Sequence, residues 1–318
     1  MKSLLMEFVA VTEAAALASF YWIGRGNKHE ADHAATSAMR NKLNQIAFAG
    51  KIVIGEGELD QAPMLYIGER VGTGTGIPCD IAVDPLEGTS LIAKGQSNSI
   101  AVLAVAEAGS LLHAPDMYME KIAVGPRAAG KIDIEAPLIE NMQAVAKANG
   151  KALQDLTVMV QDRPRHQKII DTVQAAGGRV HLFSDGDVTF AIAASLEGSG
   201  VDMFVGIGGA PEGVVSAVAV KCLGGEMQAR LQPQNEQEYS RCLQMGLAKP
   251  EETLTMNRLV GSDECIFAAT GVTDSLLLRG VRQGAGARQI TQSFMLYGRD
   301  KTIHYLDSVH PKRGDNIT

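Results

Sequence analysis

The chain opens on a helical pattern. Leu5, Val9, Thr12, Ala16 and Phe20 recur on one face of an Ala-, Leu- and Met-rich stretch, which predicts an amphipathic helix over 4–22. A second helix is predicted over 34–46, after a polar turn. Beyond it, short apolar runs end in glycine and acid. Ile52-Val53-Ile54 runs into Gly55-Glu56-Gly57-Glu58-Leu59-Asp60, and Ile81-Ala82-Val83 into Asp84-Pro85-Leu86-Glu87-Gly88-Thr89. The run 179–183 leads into Ser184-Asp185-Gly186-Asp187, and 203–207 into Gly208-Gly209-Ala210-Pro211-Glu212-Gly213. In layered α/β folds, functional groups collect where strands end and helices begin, so these junctions allow distant acids to meet.

At roughly 150 residues per domain, 318 residues predict two domains. The segment 149–156, ahead of a strand at 157–160, is the expected boundary, giving an α+β half at 1–156 and an α/β half at 157–318. A composition of 46% hydrophobic and 20% charged residues excludes disordered and collagen-like classes. The net charge of −7 disfavours a nucleic-acid partner. Cys79, Cys222, Cys242 and Cys265 form no metal or disulfide spacing and are expected as free thiols of a reducing cytoplasm. Glu7 and Glu13 interrupt the N-terminal apolar stretch, unlike a secretory signal, and no uncharged run approaches the ~20 residues of a membrane span. The polar tail 311–318 is expected to be mobile.

Each candidate constellation also has a plainer explanation. Asp84 and Glu87 flank a Pro-containing turn and offer hard oxygen ligands to one cation, with Gly88-Thr89 at a helix start where free N–H groups would meet a phosphate. The alternative is an Asp-Pro turn followed by a Thr cap. Glu56, Glu58 and Asp60 repel one another unless a cation or water separates them. Glu212 in a tight turn before an apolar helix is either a cap or a ligand, and the other acids at strand ends favour a ligand. Arg163-Pro164-Arg165-His166 gathers cationic donors for a phosphate, against simple surface solvation. Asp185 and Asp187 are sugar-hydroxyl acceptors or helix caps. His29-Glu30-Ala31-Asp32-His33 matches the zinc-peptidase string HExxH, but the loose Gly24, Gly26 and Asn27 before it argue against that use. Gly72-Thr73-Gly74-Thr75-Gly76 reads as a turn.

Together the strings resemble class II fructose-1,6-bisphosphatase. They are Val53-Ile54-Gly55-Glu56-Gly57-Glu58, Ala62-Pro63-Met64-Leu65-Tyr66-Ile67-Gly68-Glu69, the run from Asp80 to Thr89, Ala114-Pro115-Asp116-Met117-Tyr118-Met119, Asp162-Arg163-Pro164-Arg165-His166, Ser184-Asp185-Gly186-Asp187-Val188 and Gly208-Gly209-Ala210-Pro211-Glu212-Gly213. The likeness spans about residues 6–310 in one order. It implies a layered α-β-α-β-α sandwich of the sugar-phosphatase type, within the metal-dependent, lithium-sensitive sugar and inositol phosphatases. Metal ligation by Asp32, Glu56, Asp84, Glu87 and Glu212 is implied, with Mn²⁺ or Mg²⁺ as cofactor. Sugar-phosphate contacts are implied for Glu87, Gly88, Thr89, Tyr118, Arg163, Pro164, Arg165, Asp185, Gly186, Asp187 and Gly209. Catalytic positions are implied at Lys28 and Thr89, with Asp60 in addition.

The implied reaction removes the 1-phosphate of fructose 1,6-bisphosphate, as a step of gluconeogenesis in a cytoplasmic homo-oligomer, dimer or tetramer. Sedoheptulose 1,7-bisphosphate, an inositol phosphate or a non-catalytic sugar-phosphate sensor remain alternatives. His29 and His33 beside Asp32, and Ser90 after Thr89, depart from the family's usual residues.

Overall fold

The computed structural model describes residues 1–57, 63–247 and 249–311. Glu58, Asp60 and the tail beyond residue 311 therefore lie outside the described residues. In chain order the elements are α1 (Leu5–Phe20), α2 (Lys28–Leu43), β1 (Ala49–Ile54), β2 (Arg70–Val71), β3 (Pro78–Glu87), α3 (Thr89–Ala93), β4 (Ile100–Glu107) and β5 (Tyr118–Val124). Then come α4 (Leu138–Asn149), β6 (Thr157–Gln161), α5 (Gln167–Ala175), β7 (Arg179–Phe183), α6 (Asp187–Ala193), β8 (Met203–Gly209), α7 (Ala210–Cys222) and β9 (Glu226–Leu231). The chain finishes with α8 (Glu236–Gln244), α9 (Met256–Leu259), β10 (Cys265–Gly271), β11 (Arg282–Gln283), β12 (Gln289–Tyr297) and β13 (Thr302–His310).

The strands form two mixed sheets. One has eight strands in the order β11-β12-β10-β4-β3-β1-β2, with β13 paired to β12; the other has the order β7-β6-β8-β5-β9. Strand alternation assigns each face to a different core. Ile81, Val83, Leu103 and Val105 pack with Phe8, Val11, Ala35 and Met39 of α1 and α2. Their neighbours Ala82, Val102, Ala104 and Ala106 turn to the opposite side, where they join Ile192, Val214, Val218, Met119 and Phe204. Ile122, Val158 and Val160, on the far face of the second sheet, pack with Met142, Val145, Ile170 and Val173 of α4 and α5. The result is helix, sheet, helix, sheet, helix, with α6 and α7 in the middle layer.

Four features differ from the expectation or refine it. First, α2 begins at Lys28, because the Asn27 side chain accepts from the Glu30 N–H at 3.2 Å and caps the helix six residues before its apolar pattern starts. Second, a cut between 156 and 157 does not follow the sheets, since β5 belongs to the second sheet and β10–β13 return to the first. Third, Lys2–Phe20 is, by length and a mean hydropathy of 1.5, apolar enough to cross a membrane. In the fold it is a core helix, with Leu5, Phe8, Val9, Val11 and Ala15 buried and Glu13 accepting from the Thr291 hydroxyl at 3.2 Å. Fourth, the four cysteines are free and buried, and the Cys222 and Cys265 sulfurs lie 3.6 Å apart.

One buried acid fixes the loop behind the first strand end. Glu69 takes Arg40 Nε at 2.5 Å and the N–H of Leu65, whose carbonyl receives the N–H of Glu56 at 3.0 Å. Leu65 has φ +52°, so the loop needs this anchor to hold a conformation that side chains rarely adopt. Glu69→Ala leaves a buried N–H and a guanidinium without an acceptor, and should cost about 2–4 kcal/mol in urea unfolding at saturating metal. A loss below about 0.5 kcal/mol would mean that the loop is held by other contacts.

Candidate active site

The acids converge because strand geometry is broken in one place. Residues three apart on a strand face opposite ways, yet Asp84 and Glu87 both reach one site, because the β3–β4 register shifts between them. Pro85 sits in that shift, and Asp84 Oδ1 accepts the Leu86 N–H at 3.0 Å, which folds the strand end into a turn. Gly88 follows at φ +82° and starts α3. From the other sheet, β8 ends at Gly209 and α7 brings Glu212 in its first turn, where the helix dipole favours an anion. A Cβ on Gly209 would stand 1.9 Å from Glu212 Oε2, so this glycine makes the room into which the carboxylate folds.

One ligand oxygen from each of Asp84, Glu87 and Glu212 falls within 4.8 Å of the others. Asp32 of α2 and Glu56, just beyond β1, flank them: their side chains are hydrogen-bonded to each other, and Glu56 feels the charge of Asp32, Asp84 and Glu212. Burial pushes Asp84 up to about 6, with Asp32 and Asp187 adding repulsion, while its bonds with Glu87 and the Leu86 N–H oppose the rise. Burial followed by the charge of Asp187 pushes Glu212 up to about 7, against the opposing charge of Lys121. Glu87 and Glu56 stand well above the carboxylate range, through burial and their acidic neighbours. Asp32 is raised by burial, with His29 and His33 pulling it back. A cluster that resists ionisation, offers only oxygen and leaves Glu212 Oε2 buried without a partner among the described residues fits a hard divalent cation.

The sugar-phosphate candidates lie on the neighbouring strand ends. Gly186, at φ +81°, caps α6, and the Asn98 amide donates to the carbonyls of Asp185 at 2.9 Å and Gly186 at 3.1 Å. The Val188 N–H reaches Glu87 Oε1 at 3.4 Å, so the two sheets meet at the site. Tyr118 starts β5 opposite Gly209, half exposed, and its ring centroid lies 5.0 Å from the Arg165 guanidinium. Arg165 is braced at 2.9 Å by both the Ile207 carbonyl and Gln161 Oε1. Arg163 is half-buried and donates to the Asp162 carbonyl, and Pro164 begins the turn between the two arginines. Lys28 is exposed at the start of α2, one helical turn before Asp32, and Thr89 opens α3, half buried, with Ser90 next. The loop before Lys28 is tied to α3 by the Gly24 and Gly26 N–H groups, each 2.9 Å from the carbonyls of Ile92 and Ala93 respectively.

Two expectations change. His166 is buried, with Nδ1 on the Gln161 carbonyl at 2.7 Å and Nε2 accepting the Ile207 N–H at 2.8 Å; burial pushes its pKa down, so it is a neutral strut and not a phosphate donor. The HExxH string does lie on a helix, but His29 and His33 are exposed, and neither joins the ligand group formed among the described residues. Two polar residues of the site escape the sequence patterns, Asn98 in a turn and Lys121 in a strand. No local pattern marks either, since Lys121 follows Glu120 in β5 and the two read as ordinary charged positions of a strand.

The family model and the two sequence relatives cover nearly the whole chain. A family model described as bacterial fructose-1,6-bisphosphatase, glpX-encoded, matches residues 2–310. Fructose-1,6-bisphosphatase 1 class 2 of Escherichia coli K12 is 48% identical over 97% of this chain and 95% of its own length. Fructose-1,6-bisphosphatase class 2 of Shigella flexneri gives the same figures. Among solved structures, the extragenic suppressor protein suhB of Bartonella henselae overlaps 60% of this chain and 71% of its own, at a TM-score of 0.34 and 12% identity.

The raised carboxylates set a pH dependence. A folded pKa above the unfolded value contributes stability at low pH that is lost as pH rises through the folded pKa, here about 6 for Asp84 and about 7 for Glu212. Metal-free protein should therefore melt at a lower temperature at pH 8 than at pH 5. Added Mn²⁺ should raise the melting temperature more at pH 8, where the protons are gone. Glu212→Gln should flatten both trends; a metal-free melting temperature that climbs from pH 5 to pH 8 would contradict the crowding of these acids.

Proposed function

The chain belongs to the glpX-encoded bacterial fructose-1,6-bisphosphatase family, and from that premise we propose that it hydrolyses the 1-phosphate of fructose 1,6-bisphosphate to fructose 6-phosphate and inorganic phosphate. The observation that carries the reading is the meeting of Asp84, Glu87 and Glu212 from two sheets, with Arg165 braced at the end of a neighbouring strand.

Asp84, Glu87 and Glu212, with Asp32 and Glu56, would hold the divalent cation, Mn²⁺ or Mg²⁺. When bound, such a cation neutralises phosphoryl oxygens and makes water a better nucleophile at neutral pH. The remaining work belongs to the chain. Arg163 and Arg165 bind the distant 6-phosphate, and bracing Arg165 by Ile207 and Gln161 removes much of the ordering cost of that contact. Tyr118 lies against the sugar beneath Arg165, while Asp185 and Asp187 accept its hydroxyls. Gly88, Gly186 and Gly209 let the backbone approach. Thr89, steered by Asp60, positions the water that forms the new O–P bond as the ester O–P bond breaks, and Lys28 offsets the charge that develops.

The same reading places the enzyme in gluconeogenesis in the cytoplasm, as a dimer or tetramer. Self-association is supported by β13, which pairs with β12 along nine residues and exposes Ile303, Tyr305 and Val309, with no strand on its other edge among the described residues.

Phosphate release from fructose 1,6-bisphosphate, sedoheptulose 1,7-bisphosphate and inositol 1-phosphate, each with EDTA, Mg²⁺ or Mn²⁺, tests the assignment. Fructose 1,6-bisphosphate should give the highest kcat/KM and EDTA should abolish turnover. Substrate-induced thermal stabilisation with no release under any metal would point to a sensor. Glu212→Gln should lower kcat at least ~100-fold in a folded protein, as loss of a metal ligand does. Arg165→Ala should raise KM about 10-fold with a smaller change in kcat, since it acts away from the reacting phosphate.

A further inference from the structure

Lys121 is a buried lysine at the junction of the site, with 1% of its surface exposed. It lies on β5, on the face it shares with Met119 and Ala123, which belong to the middle-layer core. A lysine there is costly unless its charge is met. Its Nζ donates to Asp187 Oδ2 at 2.5 Å and to the Gly209 carbonyl at 3.0 Å. It thereby joins three segments that carry site residues: β5, the first turn of α6, and the β8–α7 turn that delivers Glu212.

The surrounding glycines are fitted to this lysine. A Cβ on Gly208 would fall 2.6 Å from Asp187 Oδ2 and 3.1 Å from Lys121 Nζ, and one on Gly213 would fall 3.1 Å from Lys121 Cδ. The Gly-Gly-Ala-Pro-Glu-Gly string thus serves the Lys121 channel as well as Glu212. Asp187 is close enough for its charge to act on Asp84, Glu87 and Glu212. Even so, it is not part of the group whose ligand oxygens lie within 4.8 Å of one another. The ion pair with Lys121 accounts for that separation, because a carboxylate already bound to a buried ammonium has less to gain from a shared cation.

We propose that Lys121 is a positioning residue that withholds Asp187 from the cation cluster, leaving the metal to Asp84, Glu87, Glu212 and the flanking acids, while Asp187 keeps its free oxygen for a sugar hydroxyl. Its second bond, to the Gly209 carbonyl, fixes the turn from which Glu212 projects. This deepens the sugar-phosphatase reading and rests on it for the role of Asp187, but its binding arm uses no substrate, so the two can fail separately.

The test is a charge cycle on the metal-free full-length protein, titrated calorimetrically with Mn²⁺. Lys121→Met keeps the side-chain volume and frees the Asp187 carboxylate, so Mn²⁺ should bind at least ~10-fold more tightly while KM for fructose 1,6-bisphosphate rises by a similar factor. Asp187→Asn leaves the ammonium unpaired beside the cluster and should weaken Mn²⁺ binding about 10-fold. Combining the two should return Mn²⁺ affinity close to that of the parent while KM stays raised. A lysine with a merely structural role could loosen the site but would not tighten it. Parental Mn²⁺ affinity in folded Lys121→Met would overturn the proposal. If that variant does not fold, the comparison of Asp187→Asn with the combined variant decides: weaker binding in the former supports the proposal, and equal affinities overturn it.

Discussion

Crowded negative charge at facing strand ends is the constraint that the rest of this structure answers to. Burial first, and then their repulsion of one another and by Asp187, raises the pKa values of Glu56, Asp84, Glu87 and Glu212, and Asp84 and Glu212 are only partly open to water. Such a cluster holds together only with positive charge in its midst. Lys121 supplies a fixed cation through Asp187, and among the described residues Glu212 Oε2 has no protein partner. A divalent ion completes the balance, which is why metal dependence and the acidic surroundings are two aspects of a single electrostatic requirement.

The layering serves that requirement. The first sheet contributes Glu56, Asp84 and Glu87 and the second contributes Asp187 and Glu212 through its connecting helices, so the site exists only while α6 and α7 separate the sheets correctly. Small residues make this separation short: Ala210, Gly213, Ala217 and Ala219 of α7 are buried between Ala82, Ala104 and Ala106 on one side and Met119 and Ala123 on the other. The bond from the Val188 N–H to Glu87 and those from Asn98 to the Asp185 and Gly186 carbonyls then tie the first sheet to the start of α6. Under the proposed reaction, the reacting phosphate would sit at these acids and the remote one at Arg163 and Arg165 on the second sheet.

The residues next to the site acids have local consequences. His29 and His33 sit on the exposed side of α2, and their charge lowers the pKa of Asp32 against the effect of burial. They act on the cation site through the field at one flanking acid, without joining the ligand group. The arginine string is split in the same way: Arg165 is braced toward the site, while His166, next to it in sequence, is consumed in holding β6 to β8.

Alternation and turn chemistry are local, so the sequence by itself determined the strands at 157–160, 179–183 and 203–207, the acids at their ends and, through the motifs, the family. Asp60 falls outside the described residues, so its place rests on the motif alone. Other features depended on contacts that no local pattern encodes. The cap at Asn27 extended α2 back over the HExxH string, and β10–β13 returned to the first sheet from beyond the boundary expected at 149–156. The spacing of Asp84 and Glu87 would put them on opposite faces, and only the register shift against β4 turned both to one site. Lys121 was invisible as a functional residue, because a lysine in a strand gains its meaning from the aspartate and the carbonyl it meets across the fold, and those partners lie 66 and 88 positions further along the chain.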